Sequence, residues 1–330
     1  MVRKEVLAPH VGVDVPVCVS DVPTPYARDD LLAEPSEVPT PEPTASSGET
    51  LKNISAAELE FKQCIGSGAT AEVFRGVFKG QFVAIKQMNI GLMYCADVKG
   101  QVAFSREVSV MEKARHENLV GVLGISHLDS KFLIITEFCE GGTCHELLHN
   151  CCHIDLMWGQ KLTMCRDVAA AMEYLHTMPH QIIHRDLKST NLLLVSPVRS
   201  SVDTPWVKIS DFGLARIKDE SSEWQRMTRA VGSLHWTAPE VHTGEYTEKA
   251  DIYSYAMVLF EIVCREIPFD DEEPGQVPML TLAGNRPDMD AIPCHCPEAL
   301  VQLMQRCWNG LPENRPSFTQ IRGVLSNIAI

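Results

Sequence analysis

His184-Arg185-Asp186-Leu187-Lys188-Ser189-Thr190-Asn191 decides how this chain is read, together with Asp211-Phe212-Gly213 twenty residues further on. The first stretch holds an acid (Asp186), a lysine (Lys188) and an amide (Asn191) within six residues. The second adds another acid, Asp211, just ahead of a glycine. Moving a phosphoryl group calls for this set: an acid to orient a hydroxyl, a cation beside the phosphate, and oxygen ligands for Mg²⁺. A lone Asp or Asn in a polar loop is ordinarily a turn former. Two such stretches, in this order and at this spacing, are hard to explain as turns or core packing.

Upstream, Ile65-Gly66-Ser67-Gly68-Ala69-Thr70-Ala71-Glu72-Val73 reads as strand, glycine turn, strand. Glycine there lets backbone N–H groups close over phosphate oxygens with no side chain in the way. A dinucleotide-binding turn reads similarly but leads into a helix, whereas residues 73–78 read as a strand. Val83-Ala84-Ile85-Lys86 follows on the next strand. Lys86 alternates with Ala84, so both share one inward face. A lysine on an apolar face is costly unless paired. Glu107 offers the pair, because it shares a helical face with Phe104 and Met111 and itself needs a cation.

The surrounding pattern gives a fold class. Residues 59–65, 71–78 and 82–87 are predicted strands of an antiparallel meander, with two more near 119–128 and 132–138. Residues 98–114 are predicted to form one helix, with Phe104, Val108 and Met111 recurring at three and four residues. Beyond them helices dominate: Leu162, Cys165, Val168, Met172 and Leu175 mark one amphipathic face. Residues 251–264 are apolar almost all round, as a buried helix is. The expectation is an α+β chain of two lobes, a small antiparallel β-sheet lobe with one helix (about 59–138) and a large, mainly α-helical lobe (about 139–330). Residues 197–206 form an unexplained insert between strand-like 192–195 and 207–209.

Residues 1–50 stand apart. Seven prolines between Pro16 and Pro43 break any long element, and nine acids face three bases. A Pro-rich acidic segment of this kind buries too little apolar surface to offset chain entropy, so a disordered tail is expected. Alternating Val11, Val13, Val15, Val17 and Val19 could add an edge strand that docks on a partner.

The bulk numbers narrow the function. A hydrophobic content of 45% supports a sizeable core, and a formal charge of −14 argues against a nucleic-acid partner. No apolar run approaches a membrane span, and the first twenty residues lack a signal-peptide core. Twelve cysteines without a Cys-x-x-Cys pair read as reduced thiols of a cytoplasmic protein. A zinc site from Cys294, His295, Cys296 and Cys307 is conceivable but lacks pair spacing.

Taken together, these motifs resemble the catalytic domain of eukaryotic protein kinases, over roughly residues 59–330, and are similar motif for motif to the tyrosine-kinase-like group. The resemblance implies ATP as phosphoryl donor with Mg²⁺, or Mn²⁺ in its place, and protein substrates with Ser/Thr acceptors. It implies that Lys86 grips the α/β-phosphates and pairs with Glu107. Asp186 acts as catalytic base, Lys188 neutralises the moving phosphoryl group, and Asn191 and Asp211 hold the metal. Ile65, Gly66, Ser67 and Gly68 would cover the nucleotide, while Val73, Ala84 and Leu193 sandwich the adenine. Thr136 falls at the gatekeeper position, and the Glu137 and Cys139 backbones would bond the adenine edge.

The same resemblance makes residues 211–240 an activation segment ending in Thr237-Ala238-Pro239-Glu240. Arg185 would meet a phosphate placed there by an upstream kinase on Ser221, Ser222 or Thr228. Glu240 would pair with Arg315, and Asp251 and Trp308 are structural landmarks. Lys188 and Gly232-Ser233 resemble serine/threonine rather than tyrosine enzymes.

Three other readings remain. A pseudokinase should lack Lys86, Asp186, Asn191 or Asp211, yet all four are present; only Ala71 and Ala256, where glycine is usual, depart from the pattern. A metabolite kinase should lack the Ala-Pro-Glu ending and Asn314-Arg315-Pro316. An adaptor would depend chiefly on residues 1–50.

Overall fold

A computed structural model describes residues 51–68, 71–88, 108, 110–129, 131–212, 215–217, 234–244 and 247–329. Five strands form the smaller layer: β1 (Leu59–Ser67), β2 (Ala71–Phe78), β3 (Gln81–Met88), β4 (Val122–Leu128) and β5 (Lys131–Glu137). They are antiparallel in the order β1-β2-β3-β5-β4. Strand periodicity splits β3 between two faces. Val83 and Ile85 are fully buried and pack with Ile54, Leu59, Leu133 and Ile135 in a small core. Ala84 and Lys86 take the opposite face, as their alternation predicts. Gly124 admits the Lys52 carbonyl within 2.3 Å of where a Cβ would sit, which lets residues 52–54 run beside β4.

The fourth strand is shorter than predicted. Residues 118–120 run along the larger lobe instead: Ile209 N–H donates to the Asn118 carbonyl at 2.8 Å, and Val120 N–H to the Ile209 carbonyl at 2.9 Å. Of the predicted helix over 98–114, residues 108 and 110–113 are helical. Ala114 follows them outside the helix, its N–H donating to the Val110 carbonyl at 2.9 Å, whereas residues 98–107 and 109, Glu107 included, lie outside the described residues, as do residues 1–50.

The larger lobe is built around two helices, α1 (Trp158–Thr177) and α3 (Lys249–Cys264). Leu162, Cys165, Val168, Met172 and Leu175 are all fully buried on α1, matching its apolar stripe. Helix α3 is buried from Ala250 to Val263, including two charges, Asp251 and Glu261. Around them lie α2 (Pro239–Thr243), α4 (Val277–Leu282), α5 (Glu298–Cys307) and α6 (Phe318–Ser326). Short antiparallel strand pairs join β6 (Ile182–Ile183) with β9 (Arg216–Ile217), and β7 (Leu192–Leu194) with β8 (Val207–Ile209), and so flank the 184–191 loop. Among the described residues no helix is long and apolar enough to cross a membrane, and the described cysteines are all free thiols.

The 197–206 insert is a compact turn. Asp203 Oδ2 accepts from the N–H groups of Arg199 and Ser200, each at 2.8 Å. Gln160 Nε2 of α1 donates to the Ser200 and Asp203 carbonyls. At its far end Val207 N–H donates to Asp167 Oδ2 at 2.8 Å.

Burial pushes the Asp167 carboxyl up from 3.8 to about 6. The folded carboxyl therefore holds its proton more tightly than the unfolded one. Its stabilising contribution is full below about pH 4 and is lost as pH rises through about 6. Asp167→Asn should raise stability near pH 7 by on the order of 1–3 kcal/mol and lose that advantage in acid. Thermal melts across this range check it, and a pH-independent difference would contradict it.

Candidate active site

Two non-glycine residues of the deciding stretches have left-handed backbones, Arg185 at φ 72° and Asp211 at φ 62°. Such conformations cost free energy and persist where surroundings impose them. At Arg185 the imposing group is Asp251 of α3. Its buried carboxylate accepts from His184 N–H and Arg185 N–H, each at 2.8 Å, and from His176 Nε2 at 2.8 Å. Burial raises the Asp251 carboxyl, but the His176 and His184 imidazoles and the Arg185 N–H outweigh it and hold the group below its ordinary value. His184 lies inward: its Nδ1 accepts from Asp186 N–H at 3.3 Å, so Nε2 carries the proton donated to the Ser210 carbonyl at 3.1 Å. The ring also meets buried Phe212 edge-on, with centroids 5.4 Å apart. One acid on a core helix thus fixes the loop carrying Asp186, and His184 ties that loop to the Asp211 segment.

The polar groups converge from both lobes. Lys86 Nζ on β3 reaches Asp211 Oδ1 at 2.9 Å, across 125 residues of sequence. Lys188 Nζ lies 2.9 Å from Asp186 Oδ2. Asn191 Nδ2 donates to the Asp186 carbonyl at 2.7 Å and to its Oδ2 at 2.9 Å.

Lys86, Asn191 and Asp211 face a cleft of about 590 Å³, within the usual range for a small-molecule site. Of the predicted nucleotide residues, Ile65, Gly66, Val73, Ala84, Lys86, Thr136, Glu137, Cys139 and Leu193 line it, as do Asn191 and Asp211. Ser67 and Gly68 do not. Gly68 N–H is engaged within the turn, donating to the Ala71 carbonyl at 2.9 Å, so it does not face the cavity. Asp186 and Lys188 also lie off the lining and are joined to it through Asn191. The predicted Lys86–Glu107 pair falls on a residue outside the described ones. Ser221, Ser222, Thr228 and Ser233 do too.

The segment after β5 is set by close backbone packing. Gly141 N–H donates to the Leu194 carbonyl at 2.9 Å, and a Cβ on Gly141 would lie 2.4 Å from the Ser196 carbonyl oxygen. Only glycine fits there, which seats β7 and Leu193 under the cleft. The Glu137 carboxylate is tied back by Lys208 Nζ and Gly121 N–H, both at 2.6 Å. Cys139 is buried and its thiol is pushed up to about 12 by burial first and the Glu137 charge second, which leaves it an unreactive wall.

Sequence reasoning missed several members. Pro197 and Arg199, from the unexplained insert, rim the cleft, and Met111 and Phe212 back it. A further buried acid, Glu261 of α3, joins three elements: it accepts from Ser189 Oγ at 2.5 Å, Trp236 Nε1 at 2.5 Å and His149 Nε2 at 3.1 Å. The available signal was an acid in the middle of an otherwise apolar helix, which must find donors. The predicted Glu240–Arg315 pair is present and bidentate, at 2.6 and 2.9 Å.

Comparison with known proteins agrees with this arrangement. The family model described as protein tyrosine and serine/threonine kinase matches residues 59–325. The RGS domain-containing serine/threonine-protein kinase A of Dictyostelium discoideum is 35% identical over 276 residues, 83% of this chain and 23% of that protein. The mouse serine/threonine-protein kinase TNNI3K is 37% identical over 275 residues, 82% of this chain and 31% of that protein. The Dictyostelium dual specificity protein kinase splA is 37% identical over 279 residues, 80% of this chain and 11% of that protein. The chain therefore spans less than a third of the length of each of these relatives. With most of its length matched, and Lys86, Asn191 and Asp211 lining one interlobe cleft with Asp186 bonded to Asn191, the chain belongs to the protein tyrosine and serine/threonine kinase family.

Proposed function

We propose that this chain transfers the γ-phosphoryl group of ATP to serine and threonine hydroxyls of protein substrates. The observation carrying this reading is the meeting of Lys86 with Asp211 at 2.9 Å, beside the Asp186–Lys188–Asn191 cluster. The donor set fits a hard divalent cation, Mg²⁺ or Mn²⁺. Asp211 supplies a carboxylate and, because Asn191 spends its N–H bonds on Asp186, its amide oxygen is the atom offered to a metal. When bound, such a cation neutralises developing charge on the phosphates.

The chain's own groups do the rest. Lys86, held by Asp211, is the cation for the phosphates, with Glu107 as its further partner. Asp186 orients the acceptor hydroxyl and takes its proton. Lys188, 2.9 Å from that carboxylate, lies beside the phosphoryl group in flight. Val73, Ala84 and Leu193 offer apolar walls to a flat base under Thr136, with Glu137 and Cys139 supplying backbone bonds and Ile65 to Gly68 the cover. Incubation with Mg-ATP and a degenerate peptide array, with phosphoamino-acid identity read out, tests the assignment. Phosphoserine and phosphothreonine are expected. Phosphotyrosine in comparable yield would favour dual specificity, a reading supported by the likeness to splA.

Regulation belongs to the same proposal. Arg185, beside the catalytic acid, is the cation for a phosphate on Ser221, Ser222 or Thr228, placed by an upstream kinase in the cytoplasm. Phosphatase treatment should lower turnover, and unchanged turnover would remove this part. Residues 1–50 are the candidate segment for docking partners.

A further inference from the structure

We propose that His145, His149 and Glu261 form a binding site for a zinc-class divalent transition-metal ion beside the catalytic loop. One nitrogen from each imidazole and one Glu261 oxygen all lie within 4.8 Å of one another. His149 sits in the π-helical turn Glu146–Asn150, of which His145 is the N-terminal cap, and the four-residue spacing brings the two rings together, tilted at 50° with centroids 4.6 Å apart. Two histidines at that helical spacing, with a carboxylate from another element, are a common zinc donor set that leaves a fourth position open. Bonds of about 2.0–2.2 Å bring such atoms closer together than they now lie. Side-chain rotation of the two partly exposed imidazoles supplies that closure.

The carboxylate is prepared for a cation. Glu261 is fully buried, and among the described residues the only basic group within ion-pair distance is His149, at 3.1 Å. A buried acid facing an imidazole, a hydroxyl and an indole has no fixed positive charge to offset its desolvation. Trp236 Nε1 holds Oε2 at 2.5 Å, which fixes the carboxylate plane and aims Oε1 at the histidines. The ion would take the place of the proton on His149 Nε2, which is released to solvent.

The site touches the reaction machinery at one atom. Ser189 Oγ bonds Glu261 Oε1 at 2.5 Å and lies 3.3 Å from His145 Nδ1. Ser189 stands three residues after Asp186 and two before Asn191, so occupancy redirects its hydroxyl and acts as a brake on turnover. The cysteines considered from sequence do not compete: among the described residues Cys294, His295, Cys296 and Cys307 form no such cluster.

Chelator-treated full-length chain is titrated with Zn²⁺ by calorimetry, without nucleotide and with Mg²⁺ in excess, and with Co²⁺ as a spectroscopic probe. One equivalent with a tetrahedral cobalt spectrum is expected. Affinity should fall at least about 100-fold in His149→Ala and His145→Gln, since removal of outer-shell partners alone costs 10–100-fold. Circular dichroism checks that the variants fold, and His145→Gln, which spares the His149–Glu261 pair, serves if His149→Ala does not. Cys152→Ser and Cys294→Ser should bind as the parent chain does. Unchanged affinity in His145→Gln, a thiolate–cobalt band, or displacement by excess Mg²⁺ would overturn the site. Because no nucleotide is present, the result stands or falls separately from phosphoryl transfer. Zinc binding that leaves turnover unaltered would overturn the brake.

Discussion

Asp186→Asn is expected to lower kcat by at least about 10²–10³-fold while the chain stays folded. The carboxylate sits among donors: Lys188 Nζ at 2.9 Å and Asn191 Nδ2 at 2.9 Å on the same oxygen, Oδ2. Asparagine matches its shape, so packing around the loop is kept. What is lost is the charge facing Lys188 and the capacity to accept a proton from a hydroxyl. Lys86→Met and Asp211→Asn should each reach a similar loss, because each removes one end of the 2.9 Å pair that spans the cleft. Steady-state kinetics with circular dichroism as the folding control checks all three. Loss confined to KM, with kcat intact, would mean that Asp186 contributes binding alone.

Arg315→Ala is expected to destabilise the larger lobe by about 3–5 kcal/mol, the usual cost of stripping one partner from a buried ion pair. Arg315 is 2% exposed. It donates to both Glu240 oxygens, to the Lys249 carbonyl at 2.9 Å and to the Asn309 carbonyl at 2.9 Å. Alanine removes the cation that the described residues pair with Glu240 and takes the Arg315 donors from the Lys249 and Asn309 carbonyls. For a domain of this size the melting midpoint should drop by roughly 10 °C, at 2–4 °C per kcal/mol. Glu240→Gln in the same chain should recover part of the loss, because it removes the stranded charge. A drop of only one or two degrees would show that the pair is solvated.

Much of the small lobe was legible because strand periodicity is local. The alternation of Val83 and Ile85 with Ala84 and Lys86 names the faces of β3 before any partner is known. The deciding loops were equally clear, since Asp186, Lys188 and Asn191 are close in sequence and need little tertiary information. Helix α3 announced its burial through its run of apolar residues.

Apart from Glu240–Arg315, which the family resemblance supplied, what the sequence hid was pairing over distance. Nothing near Lys86 points to Asp211, 125 residues away. Nor does residue spacing reveal that Asp251 holds the His184–Arg185 backbone, or that Glu261 gathers Ser189, Trp236 and His149. Both acids could be flagged as buried charges, but the donors of Asp251 come from two separate places in the chain and those of Glu261 from three. The insert was opaque for a different reason. Its role at the cleft rim rests on an Asp203 turn and the Gln160 anchor, which place Arg199 by contacts no short motif encodes.

The central claim is that the cleft between β3 and the 184–191 loop takes up ATP through Lys86, Asp211 and Asn191. Calorimetric titration of the folded chain with ATP and excess Mg²⁺ addresses it most directly. One equivalent of nucleotide should bind, with affinity strongly reduced when Mg²⁺ is withheld or when Asp211 is replaced by Asn. No heat of binding from correctly folded protein at saturating Mg²⁺, or binding indifferent to Asp211→Asn, would contradict it.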